Sequence, residues 1–86
     1  MLTTLIAIEL EAFHNVDGQI EVVRNDYLQV HGYALTLRYL TERGEALAEW
    51  LCDHPDRYWL HNVGTLLATS YAIPLQDCTP QALAVR

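Results

Sequence analysis

Cys52, Asp53, His54, Asp56 and His61 are the densest run of chemically versatile side chains in the sequence. A thiol, two imidazoles and two carboxylates so close together are the ingredients of a metal site, or of a cysteine nucleophile with its base. The spacing argues otherwise. Helical zinc ligands stand four residues apart on one face, whereas His54 and His61 are seven apart with Pro55 between them. Asp53 and His54 suit helix ends, where short polar side chains satisfy free backbone groups, and Cys52 suits a small core position. An enzyme using Cys52, His54 and His61, metal-dependent or cysteine-based, stays as an alternative. The sequence assigns no catalytic residue, no cofactor and no metal.

The remaining candidates are thinner. Ser70 is the only serine and has no Gly-x-Ser-x-Gly around it, which removes a serine hydrolase. His14 and His31 stand alone and read as structural or surface histidines rather than pH sensors. Glu9, Glu11 and Glu21 could gather carboxylates across a hairpin as glycosidases do, but a domain this small offers no deep cleft to tune them. They read as a solvated face. Seven of the eight aromatic residues are Tyr or Trp: Tyr27, Tyr33, Tyr39, Tyr58, Tyr71, Trp50 and Trp59. Such side chains combine apolar area with a polar tip and are enriched at protein interfaces. Arg57 with Tyr58 forms the best exposed anchor pair, because Tyr58 lies off the apolar stripe of its helix.

Composition narrows the partners. The net charge is −6, and the five basic residues, all arginines, are scattered singly at 24, 38, 43, 57 and 86. Phosphate binding needs converging cations, so nucleic acid and anionic membrane surfaces are both disfavoured. The absence of lysine removes Schiff-base chemistry and any phosphate loop of the Gly-Lys-Ser/Thr kind. No run approaches the roughly 18 apolar residues of a membrane span. Two cysteines make no disulfide framework, and the N-terminus carries no basic targeting signal, which together suggest a cytoplasmic protein.

The elements that must position these residues follow from periodicity. Thr4–Ala12 alternates, with Ile6, Ile8, Leu10 and Ala12 on one face, and predicts a strand. Val16–Asp17–Gly18 is a turn, and Gln19–Arg24 a second strand. A two-residue Asp-Gly loop would set Glu11 opposite Arg24. A three-residue loop with Gly18 as a bulge pairs Ala12 with Val22 and gathers Leu10, Ala12, Ile20 and Val22 on one face, and is preferred for that reason. Tyr33–Leu40 alternates strictly and predicts a third strand, reaching back toward Leu28. Thr41, followed by Glu42 and Glu45, predicts the start of a helix that buries Leu47, Trp50 and Leu51. Pro55 opens a second helix from about Asp56 to Tyr71, burying Trp59, Val63, Leu66, Leu67 and Ser70. Beyond Pro74, Thr79–Pro80 caps a single turn through Leu83, or Ala82–Val85 adds a strand.

Leu37–Arg38–Tyr39–Leu40–Thr41–Glu42–Arg43–Gly44–Glu45–Ala46–Leu47 resembles the passage from wing strand to following helix in winged-helix regulators. The resemblance spans about a dozen residues and implies a helix after Thr41. The helix-turn-helix that would contact DNA has no counterpart ahead of the hairpin, so the DNA-binding function is not carried over. A reduced regulator of this kind remains an alternative.

These readings converge on one α+β domain over residues 1–86: a three-stranded antiparallel β-meander followed by two α-helices packed on one face. The expected function is a non-catalytic protein–protein interaction module: an adaptor, inhibitor or small regulator of bacterial or phage type. Leu5, Ala7 and Val23 fall on the sheet face away from the helices. Leaving them in water would expose an apolar patch of a few hundred Å², which predicts a homodimer through that face or a second protein docked on it.

Overall fold

The structure, a computed structural model, describes residues 3–25 and 29–80. It holds a sheet with one helix on one face. The order is β1 (Thr4–Val16), β2 (Gln19–Val23), β3 (Gly32–Leu40), β4 (Ala46–His54), α1 (Arg57–Tyr71) and β5 (Leu75–Asp77). The sheet runs β2-β1-β3-β4 with antiparallel neighbours, and β5 pairs in parallel with β1. Strand β1 is long enough to pair β5 through Ile8–Leu10 and β2 through Ala12–Val16 along the same edge. This is an α+β two-layer domain. The start of β3 near Leu28 and the final turn or strand through Leu83 or Ala82–Val85 lie outside the described residues.

The segment after Thr41 corrects the expected first helix: it is strand β4, paired antiparallel with β3 from Leu40/Ala46 to Tyr33/His54. Thr41 does cap, but it caps a turn. Its Oγ1 accepts from the amides of Arg43 and Glu45, and Gly44 takes the positive φ of +83° that a three-residue hairpin loop requires. Ala, Leu and Glu favour helix only by tenths of a kcal/mol per residue, so pairing against β3 overrides them. The resemblance to a wing followed by a helix ends at this turn.

The first hairpin uses the shorter loop, which corrects the preferred register. Val16 faces Gln19 and Ala12 faces Val23, so the loop is Asp17–Gly18, both at positive φ (+53° and +86°). Two positive values define the turn whose twist matches paired strands, and Asp-Gly supplies it at little cost. Ile20 and Val22 therefore lie on the face away from the helix, both exposed, while Val23 is buried. A bulge between Leu5 and Ala7 sets Leu5 opposite Tyr39, on the helix side, and Ala7 opposite Arg38 on the other.

Helix α1 starts at an extended Asp56, whose carboxylate accepts from the amides of Tyr58 (2.9 Å) and Trp59 (3.2 Å). Asp56, not Asp53 or His54, is thus the N-cap, and Pro55 precedes it. The helix ends at Ala72 in the left-handed conformation, with the Ile73 amide bonded back to the Ala68 carbonyl. Its buried stripe is Leu60, Gly64 and Ala68, packed with Ile8, Leu10 and Leu35. This corrects the expected stripe. A Cβ on Gly64 would stand 2.9 Å from Leu35 Cδ2 and 3.1 Å from Leu75 Cδ1, so only the small-residue face lets the helix approach this closely. Val63 and Leu67 remain half-buried at the margin, whereas Trp59, Leu66 and Ser70 turn outward.

Candidate protein-docking surface

On the face away from the helix, Glu9 and Glu11 of the central strand are buried, with exposures of 7% and 4%. Arg38 reaches Glu9 with two hydrogen bonds, Nε to Oε2 at 3.1 Å and Nη2 to Oε1 at 3.2 Å. Arg24 Nη2 donates to Glu11 Oε2 at 2.5 Å. Glu11 Oε1 has no hydrogen-bond partner among the described residues. Burial pushes the Glu11 carboxyl up from its ordinary value, against the pull of Arg24. The face thus consists of internally compensated ion pairs rather than a glycosidase-like carboxylate pair. Glu21 points elsewhere, toward His14 Nε2 at 2.9 Å.

The residues around the second candidate cluster disperse. Cys52 opposes Leu35 and so lies on the helix side, while Asp53 opposes Ala34 on the other face and accepts from Trp50 Nε1 at 3.0 Å. His54 Nδ1 accepts from the Asp56 amide, and its ring stacks on Trp59 with centroids 4.3 Å apart. Among the described residues no three His, Cys, Asp or Glu side chains converge as a metal site would need. Burial raises both the Cys52 and Cys78 thiols, with the Asp53 charge adding to the effect at Cys52. Both shifts disfavour a thiolate. His31 Nδ1 accepts from the Asn15 amide at 2.8 Å, and its ring lies 6.0 Å from that of His14.

Arg57 and Tyr58 stay together, with the guanidinium carbon 5.6 Å from the Tyr58 ring centre. Arg57, however, is turned to β5, where it donates to Asp77 and to Thr79 Oγ1. Burial would raise the Asp77 carboxyl, but hydrogen bonds from Thr79 and the Arg57 charge outweigh it and hold the group below its ordinary value. Tyr58 is left as the exposed member of the pair. Leu5, Ala7 and Val23 do not form an exposed patch: Leu5 is half-buried on the helix side, and Ala7 and Val23 are buried.

The exposed apolar area lies elsewhere, at β4. This strand is a sheet edge among the described residues, and it carries Leu47, Trp50 and Leu51 toward solvent, Trp50 at 43% exposure. Trp50 meets the Phe13 ring at 5.6 Å on one face of the sheet, and Trp59, 50% exposed, stands beside His54 on the other. Reading β4 as a helix hid this surface, because it assigned the same apolar residues to a core. The signal that locates it is Gly44: a glycine three residues after Thr41 closes a hairpin loop more readily than it continues a helix. A shallow pocket of about 430 Å³ opens at that turn, lined by Thr3, Tyr39, Thr41, Glu42, Arg43 and Glu45, none of them buried.

No helix among the described residues is long and apolar enough to cross a membrane. Compared with known proteins, the chain matches no protein family, no curated protein and no solved structure.

Proposed function

We propose that the chain is a non-catalytic protein-interaction module, an adaptor, inhibitor or small regulator, that docks through the edge of β4. The observation that carries this reading is a nine-residue sheet edge flanked by exposed Leu47, Trp50, Leu51 and Trp59. Sheet edges present unpaired amides and carbonyls, and natural proteins shield them with lysine, proline or a covering segment. Strand β4 contains neither lysine nor proline; its shielding is limited to Glu49, Asp53 and a bulge at Leu51, where the register with β3 shifts by one residue. Strand addition to such an edge draws affinity from main-chain hydrogen bonds and specificity from flanking side chains.

The charge distribution supports the same reading. Arg24, Arg38 and Arg57 are engaged by Glu11, Glu9 and Asp77, which weakens any case for phosphate binding. A photo-crosslinking residue in place of Leu51, activated in the native host, tests the proposal. A covalent adduct with a second polypeptide is expected at Leu51 and not at Gln76 on the opposite side of the sheet. No adduct at Leu51 from a folded protein would overturn the reading.

A further inference from the structure

Resting on that reading of β4 as a docking edge, we infer that its occupant is a second copy of this chain, joined antiparallel to the first about a two-fold axis. The argument begins with symmetry. Two identical strands paired antiparallel are related by a two-fold axis perpendicular to the sheet. That operation keeps both helices on the same side of the joined sheet.

The outward flank of α1 that faces β4 is the one this operation turns toward the axis. Trp59 stacks on His54 of β4, and Leu66, seven residues on and 69% exposed, shares that side of the helix. On the opposite face the same axis brings together the Trp50 side chains, each already leaning on Phe13. One rotation therefore closes the open edge and draws in the apolar groups on both sides of it.

The size is sufficient for a dimer of moderate strength. Nine residues of strand with Leu47, Trp50, Leu51 and Trp59 bury on the order of 500–600 Å² per chain, a total just above the roughly 1,000 Å² that marks a specific interface. Area alone does not set the affinity, so the association is followed over a wide range of concentration. Charge sets its salt dependence. Each chain carries −6, and β4 itself carries Glu49 and Asp53. Screening of the repulsion between like-charged chains tightens the dimer as salt rises, the reverse of what a basic partner would show.

Light scattering on the purified chain from a few micromolar to several hundred is the test, with circular dichroism as the check on folding. The expected mass rises to twice the 9.8 kDa of one chain, with the midpoint moving to lower concentration in higher salt. Leu51→Lys and, separately, Leu47→Lys place a strongly hydrated cation on the edge and are expected to weaken association at least tenfold while leaving each chain folded. A single-chain mass throughout overturns the inference. A dimer that neither substitution weakens overturns it as well, since another surface would then be in use. The Leu51 crosslink separates this failure from that of the functional reading. A monomer that still crosslinks to a different polypeptide keeps the module and loses the self-association, whereas no adduct of any kind loses both.

Discussion

Glu11 lies on the central strand with Arg24 holding one carboxylate oxygen and the other oxygen unbonded among the described residues. Burial outweighs the ion pair, so the folded chain retains the Glu11 proton to higher pH than the unfolded chain does. The sign of the linkage follows: Glu11 favours folding most at low pH, and its contribution declines as pH rises from the ordinary glutamate value through the raised one. Asp77 behaves in the opposite way and in a lower window, its contribution lost as pH falls through its depressed value. Glu11→Gln is therefore expected to remove the decline on the upper side. Urea midpoints of the two proteins should diverge in favour of the variant as pH rises above the ordinary glutamate value. A constant difference over that rise would refute the assignment. At Gly64 the prediction is steric. Gly64→Val puts a branched side chain where even a Cβ meets Leu35 and Leu75, and about 2–3 kcal/mol of stability should be lost in chemical denaturation, the cost of overpacking a filled core.

At the scale of elements, strands β1, β2 and β3 and helix α1 were legible because each has a period or a punctuating residue of its own. The alternation in Tyr33–Leu40 and the helix start after Pro55 needed no tertiary information, although the cap itself is Asp56 and not the expected Asp53 or His54. Strand β4 was not legible from its own letters, since Ala46–Leu47–Ala48–Glu49 is a helical run and only the free side of β3 makes it extended. The hairpin registers were exchanged for a related reason. Apolar patterning on β2 favoured a bulged loop for Asp17–Gly18, but the ion pair between Glu11 and Arg24 and the buried Val23 belong to the tight turn. The bulged form occurs instead at Gly44. Gly18→Ala tests that turn in isolation, because an added Cβ meets nothing within 4 Å. The whole cost is then the positive φ of +86°, about 1 kcal/mol. A smaller loss than half of that would mean the loop relaxes into another turn.

For the whole molecule, the contrast between its two edges organises what can be said of its candidate site. One side of the sheet is closed by β2 and β5, with Arg57, Asp77 and Thr79 tying the helix to it. The other ends in β4, with exposed tryptophans on both faces. The sequence pointed to apolar area beyond what one small core can bury and to an exposed Tyr58, and the structure has exposed apolar side chains and an exposed Tyr58. It placed the excess on the sheet face, reading Glu9 and Glu11 there as solvated, whereas Arg38 and Arg24 pair with them and both are buried. The edge became visible only with strand order.

The pairing of β5 with β1 also makes the central strand depend on residues far along the chain. Ile8 and Leu10 meet β3 on one side, but their other side waits for Pro74, Leu75 and Cys78, more than sixty residues later along the chain. A nascent chain that has made its first four strands therefore has its central strand half paired and the cores of Ile8 and Leu35 uncovered. Helix α1 packs on Ile8, Leu10 and Leu35, and the segment that follows it returns to β1, so the core joins the beginning of the chain to its far end.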